Sequence, residues 1–374
     1  MKKLILKLLF IFMAFILAPP SPLTAASSEL LWMPDKTVVF IVGVLGWKHN
    51  EIYSSYPVKN RRDELLVDYF KNIGVPDEKI IYLKDKEAFQ KNIDGLFLKA
   101  LSLCDKDSTF FLYYCGHGSM NDAENVYFAS YDAGDNGVDG WDVSSIISKI
   151  CDGFKGSRVF LAADCCHSGF LCAAAGRSSK KELFACMASS LASQQSTGNW
   201  TFTEKLLEAM KGMAYIDGNG DGRITLGEIA LSVKEDMAFA EEQLSASYFG
   251  EMIGADTIVS RTNGKKIFDV EKRVEAYRVD GWYKARVVDA SKRRLKLHYF
   301  GWDYSDDEWV SRDKIREVQK KSYPLNSRVS VEWKGKWYCA KVLKVENGIH
   351  LIHYDDYGDE WDEWVGASRI KSIR

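Results

Sequence analysis

Apolar residues in the first two thirds of the chain follow two alternating rhythms. Unbroken β-branched and aromatic runs at 38–45, 79–83, 108–115, 157–164 and 183–188 predict strands buried on both faces. Between them the apolar positions take helical spacing. Leu65, Leu66, Tyr69, Phe70 and Ile73 predict one helix, ended by Gly74 as its C-terminal cap with Pro76 beyond. Further helices are predicted over 86–101, 143–151 and 203–213. Strand and helix in turn predict an α/β fold, a mostly parallel sheet flanked by helices.

Past Thr262 the helical rhythm stops and tryptophan becomes frequent. Trp282-Tyr283-Lys284-Ala285-Arg286-Val287 returns 55 residues later as Trp337-Tyr338-Cys339-Ala340-Lys341-Val342. His298-Tyr299 and Asp307-Glu308-Trp309-Val310 return at the same offset as His353-Tyr354 and Asp362-Glu363-Trp364-Val365. Constant spacing means two copies of one module, each about 50 residues of short strands. The copies resemble the Tudor and chromo-barrel family, small all-β barrels of SH3-like build. That resemblance implies an aromatic cage for a methylated cation, which Tyr299 with Trp302, or Tyr354 with Tyr357, would line. A barrel this small needs most of its aromatic side chains as core, and a peptide, a glycan or the preceding domain is equally open as its ligand.

Fifty basic and 52 acidic residues leave a net charge of −2, so no nucleic-acid partner is expected. The N-terminus is more informative. Lys2, Lys3 and Lys7 precede an apolar run over 8–18, then Pro19-Pro20-Ser21-Pro22 and a small-residue stretch, which predicts a signal peptide over 1–26. That run is well short of the ~20 residues a spanning helix needs, so no membrane contact beyond the leader is expected. A secreted, periplasmic or cell-surface protein follows.

Two of the strand-like runs end in chemistry. Tyr113-Tyr114-Cys115-Gly116-His117-Gly118-Ser119 closes one, and Asp164-Cys165-Cys166-His167-Ser168-Gly169 closes another. A parallel sheet presents its carboxyl edge as the ligand crevice, so His117 and Cys166 can face each other across adjacent strand tips. A thiol attacks an acyl carbon as thiolate, and a nearby imidazole takes the proton and returns it to the leaving amine. The motifs resemble those of caspase-like cysteine peptidases, and within them metacaspases, with Cys115 and Cys165 where that family has serine. His117 precedes Cys166 by 49 residues, in keeping with caspase-type spacing. The resemblance, over about 37–261, implies Cys166 as nucleophile, His117 as acid/base, and backbone N–H groups of Gly118 and Cys166 as the oxyanion hole. It also implies Asp164 as the acid that receives a basic side chain before the scissile bond. Asp63, after Asn60-Arg61-Arg62, is the candidate second acid, and equally a first-turn helix residue. His167 and Cys165 are expected to be structural.

Residues 217–228 match an EF-hand calcium loop. Asp217, Asn219 and Asp221 supply side-chain oxygens, Gly222 the turn, Arg223 its carbonyl, and Glu228 a bidentate carboxylate. Calcium is therefore the expected cofactor. Of eight cysteines, Cys172 and Cys186 are the pair to test first as a disulfide. Arg177, Lys180 and Lys181, in a basic segment after the Cys motif, are candidates for self-processing in an exposed loop. The chain is thus expected to carry a leader (1–26), a caspase-like peptidase domain (27–262) and two barrels (265–319 and 322–374). It is expected to hydrolyse protein or peptide substrates after Arg or Lys. The rivals are a binding protein in which the barrels carry the function, and a legumain-like enzyme that cuts after Asn.

Overall fold

The computed structural model describes residues 30–135, 139–262, 270, 272–318 and 321–373. The predicted leader and the junctions at 263–269 and 319–320 lie outside the described residues.

The apolar runs become β1 (Thr37–Gly43), β2 (Ile80–Lys84) and β3 (Thr109–Cys115). After them come the short β4 (Gly118–Met120), β5 (Val126–Phe128) and β6 (Trp141–Asp142), then β7 (Arg158–Asp164) and β8 (Phe184–Ala188). Arg223–Thr225 forms β9, Ala246–Phe249 β10 and Ile258–Arg261 β11. The interleaved helices are α1 (Arg62–Asn72), α2 (Gln90–Ser102), α3 (Val143–Gly153), α4 (Gly169–Arg177), α5 (Thr201–Met210) and α6 (Leu226–Asp236). The main sheet runs β10-β8-β7-β3-β1-β2, parallel from β8 to β2 and closed by antiparallel β10.

The run that predicted β1 is continuous because both sheet faces are covered. Val38, Phe40 and Val42 enter a core with α2 and α3, while Val39 and Ile41 enter the opposite core with α1, α5 and α6. Each such side chain is worth roughly 1.5–3 kcal/mol on burial.

The C-terminal repeat is borne out as two antiparallel sheets of one design. The first holds β12 (Arg273–Arg278), β13 (Gly281–Ala290), β14 (Arg294–Tyr299), β15 (Glu308–Ser311) and β16 (Ile315–Glu317), in the order β15-β14-β13-β12-β16. The second holds β17 (Arg328–Trp333), β18 (Lys336–Glu346), β19 (Ile349–Tyr354), β20 (Glu363–Gly366) and β21 (Ile370–Ser372), in the order β20-β19-β18-β17-β21. Even the bulges correspond, between Val287 and Asp289 and between Val342 and Lys344.

The first barrel is clamped to the α/β domain by buried charge. Arg286 of β13 reaches Asp236 at 2.7 Å and pairs with Glu208, while Lys205 reaches Asp236 at 2.9 Å. Arg62 of α1 binds Glu204 at 2.7 Å and donates to the carbonyl of Trp302, and His298 of β14 contacts Glu204 at 3.3 Å. Helix α5 is consequently buried along its whole length, sheet on one side and barrel on the other. Buried charges this well paired punish loss of either partner by several kcal/mol.

Candidate active site

Parallel pairing sets Cys115 at the tip of β3 opposite Asp164 at the tip of β7, so the two motifs leave the sheet side by side. Gly118 then passes so close to Cys166 that a Cβ there would lie 2.0 Å from the Cys166 carbonyl oxygen. Glycine is required by that contact. The thiol of Cys166 is held at this crossing, accepting from the Ser196 N–H at 3.2 Å, with the N–H groups of Cys166 and Gly118 also favouring its thiolate. Burial nevertheless outweighs them and keeps the thiol pKa above its ordinary value.

His117 is turned elsewhere. Its Nε2–H donates to the Ser54 carbonyl at 2.9 Å, which leaves Nδ1 to accept from the Tyr56 hydroxyl at 3.1 Å. The imidazole stacks among Trp47 and Tyr56, with ring centroids 4.6 and 4.7 Å away, and burial lowers its pKa. Among the described residues no hydrogen bond joins His117 to Cys166. Each is held by another loop, His117 by Ser54 and Tyr56 and Cys166 by Ser196, and burial favours the uncharged form of both.

A cleft of about 180 Å³ opens over this crossing. Asp164, Cys115 and Cys166 lie along it, Tyr56 and Asn60 come from the loop after β1, and Ser196 and Asn199 from the loop after β8. Trp302 and Asp303 of the first barrel complete the wall. Asp164 accepts from the Thr203 hydroxyl at 2.6 Å, and burial raises its pKa to about 7 despite that bond. Asp63 takes the second of its two expected places: it is fully buried in the first turn of α1, held by Arg61 at 2.7 Å and by the Tyr82 hydroxyl at 2.7 Å, and it is not among the residues lining the cleft. His167 accepts a structural place, with Nδ1 at 2.9 Å from the Ala192 carbonyl, and Cys165 is buried.

In the 217–228 loop Gly220 and Gly222 take the left-handed region, at φ +76° and +85°. Asp217 accepts from Gly220, Asp221 and Gly222 N–H groups, Asn219 from Asp221, and Asp221 from Arg223. Glu228 Oε1 accepts from Gly218 at 2.9 Å, while Oε2 accepts from Thr225. The donor set, all oxygen with three carboxylates, fits a hard cation such as Ca²⁺. Strand β9 beside the loop pairs antiparallel with β11.

Cys172 and Cys186 are joined as a disulfide, their Cα atoms 5.1 Å apart, tying α4 to β8. The expected processing loop is corrected in part. Arg177 is the last residue of α4, its guanidinium over the Phe170 ring, and only a short turn separates it from Lys181.

The two aromatic cages differ. In the first barrel Tyr299 is buried, and the guanidinium of Arg278 sits over it at 5.1 Å and over Trp302 at 4.9 Å, so the site is filled from within. In the second, Tyr354 and Tyr357 are joined by Trp333, Tyr338 and Trp361 around an open cup of about 280 Å³. Sequence reading missed those three partners, as it missed Tyr56, Ser196 and the contribution of Trp302 to the cleft. His353, Asp359 and Asp362 also bring ligand atoms within 4.8 Å of one another, but Asp359 is exposed, and in the first barrel the matching His298–Asp307 pair is a direct contact at 2.8 Å.

Residues 325–372 match the Tudor-knot family, described as the RNA binding activity-knot of a chromodomain. The C-terminal part of the chain is therefore Tudor/chromo-like. Comparison with curated proteins finds no match.

Proposed function

We propose that the chain is a caspase-like, metacaspase-like cysteine endopeptidase that cleaves after Arg or Lys. The observation that supports this is the parallel register of β3 and β7, which sets Cys115 opposite Asp164, two residues before His117 and Cys166 respectively, with Asp164 and Cys166 both lining the cleft. For turnover His117 must leave Ser54 and Tyr56 and take the Cys166 proton. The thiolate then attacks the scissile carbonyl carbon, and the oxyanion accepts from the Gly118 and Cys166 N–H groups, donors typically worth a few kcal/mol each. His117 returns the proton to the leaving amine, and water, deprotonated by the same imidazole, hydrolyses the thioester. Asp164 pairs with the basic side chain. Calcium, where bound, would be held by Asp217, Asn219, Asp221, the Arg223 carbonyl and Glu228, and would order the entry to α6. Export follows the leader-like N-terminus.

A panel of fluorogenic peptides ending in Arg, Lys, Asn or Asp tests this. Turnover of Arg and Lys peptides, lost in Cys166→Ala, supports it. Preference for Asn would favour the legumain-like rival. No turnover at all would favour a binding protein, the reading suggested by the unpaired His117 and Cys166 and by the open cup of the second barrel.

A further inference from the structure

The cleft above Cys166 holds two carboxylates, and one of them comes from the first barrel. Asp164 stands at the tip of β7, while Asp303 arrives with Gly301 and Trp302 from the turn after β14. That turn is fitted to the α/β domain. Gly301 takes φ +80° and passes so close to Asn199 of the loop after β8 that a Cβ there would lie 3.1 Å from the Asn199 side-chain oxygen. Asn199 donates in turn to Glu241 at 2.9 Å. The Trp302 carbonyl accepts from Arg62 at 3.3 Å, and the Arg62 guanidinium lies over the Tyr304 ring at 5.0 Å. Asp303 is therefore presented to the cleft on a fixed loop.

The barrel fold does not itself require an acid at this place. Asp303 caps the short 3-10 helix Tyr304–Asp306 by accepting from the Ser305 N–H at 2.9 Å. Fifty-five residues on, the matching 3-10 helix Asp359–Trp361 is capped by Gly358, which has no side chain to offer. Nor does Arg62 consume the carboxylate. Oδ2 of Asp303 stands 3.6 Å from Arg62 Nη1, beyond hydrogen-bond reach, while Nε and Nη2 of Arg62 are given to Glu204 at 2.8 and 2.7 Å. The Asp303 side chain keeps 26 % of its surface exposed. Hydrogen bonds from Ser305 hold its carboxyl below the ordinary value, so it is charged at a pH where Asp164, pushed up to about 7, is partly neutral. Lys59, the other charged residue of the wall, is exposed to solvent.

We infer that Asp303 is a specificity residue of the cleft: together with Asp164 it receives the basic side chain that precedes the scissile bond, arginine in preference to lysine, which makes the first barrel part of the catalytic unit. This rests on the peptidase reading. The second acid that Asp63 does not supply is thus brought in from another domain. A guanidinium carries five N–H donors in a planar fork and can meet two carboxylates at once, whereas an ammonium is a compact point charge on a flexible stem. Two acids from separate walls therefore favour the fork.

The test is Asp303→Asn in the full chain, a change that keeps the helix cap and removes the charge. Internally quenched peptides with a single Arg or a single Lys, otherwise uncharged, read the effect. Native protein should prefer the Arg peptide. In Asp303→Asn, kcat/KM for the Arg peptide should fall about tenfold, through KM, the Arg-to-Lys ratio should move toward one, and Asp303→Glu should recover part of both. Calorimetry on the Cys166→Ala chain, with and without Asp303→Asn, then compares N-acetyl-arginine amide with its uncharged citrulline analogue. The preference for arginine over citrulline should shrink about tenfold when Asp303 is neutralised. An Arg-to-Lys ratio that does not move, or equal loss of the arginine and citrulline ligands, would reduce Asp303 to a packing contact and overturn the proposal. Absence of turnover in the native chain, with a preference for arginine over citrulline that Asp303→Asn removes, would overturn the peptidase reading and leave the two-acid pocket standing.

Discussion

The Tyr56 hydroxyl lies 3.1 Å from Nδ1 of His117 and, with the Ser54 carbonyl on Nε2, ties both ring nitrogens to the loop after β1. A hydrogen bond of this kind is worth about 1 kcal/mol net. Tyr56→Phe should therefore free the ring for Cys166 and raise the rate at which iodoacetamide alkylates that thiol, roughly fivefold at neutral pH. An unchanged rate would mean that Ser54 alone sets the ring.

Asp164 bears on pH dependence of substrate binding. Burial sets its pKa at about 7, so below that pH it is neutral and offers a cation only a hydrogen-bond acceptor. An arginine ligand favours the carboxylate and is favoured by it. The Kd of an arginine-based inhibitor should fall as pH rises from 6 to 8, and the slope should vanish in Asp164→Asn. A flat profile in the native chain would remove Asp164 from the pocket.

Self-cleavage has a signature set by the disulfide. Cys172 and Cys186 bracket Arg177, Lys180 and Lys181, so a cut at any of them leaves both pieces covalently joined. Purified protein that has processed itself should run as one band without reductant and as two with it, and Cys166→Ala should run as one under both conditions. Fragments that separate without reductant would place the cut outside this segment.

His298 couples barrel docking to pH. Burial opposes its charge, but hydrogen bonds to Asp307 at 2.8 Å and to Glu204 at 3.3 Å win and raise its pKa to about 9. The folded value lies above the unfolded value of ~6.5, so this stability is complete below pH 6.5 and is lost as pH rises through 9. The thermal midpoint should fall over that interval, by an amount on the order of 3 kcal/mol of stability, and His298→Gln should flatten the fall.

Calcium should stabilise the α/β domain through the loop that leads into α6. At a hundredfold excess over Kd the gain is about 2.7 kcal/mol, a rise of several degrees in the thermal midpoint, absent in Glu228→Gln. A midpoint indifferent to chelator would leave 217–228 as a turn.

The second cage shows what only assembly could decide. The repeat spacing marked Tyr354 and Tyr357 as cage candidates, yet nothing in that pattern indicated that Trp333, Tyr338 and Trp361 converge on them, since they come from three different segments. The same repeat held the clue to the first cage. Position 278 is arginine where 333 is tryptophan, and only the fold shows that this arginine is the occupant.

The sequence by itself indicated the main strands, because short apolar runs alternating with helically spaced segments are best used as strands buried on both faces, and a 55-residue repeat implies two copies of one sheet. It also indicated that the main strands run parallel, since strand and helix alternate, while the order of the strands and the register that sets Cys115 opposite Asp164 came from the fold. What it could not determine depends on surfaces meeting. Glu204, Lys205 and Glu208 are charged residues of α5 that are buried in the structure, where the first barrel supplies Arg286 and His298 as partners. Trp302, Asp303 and Ser196 join the cleft only because loops far apart in the chain are packed together there, and the orientation of His117 is set by Ser54 and Tyr56 in a loop with no periodicity to announce it.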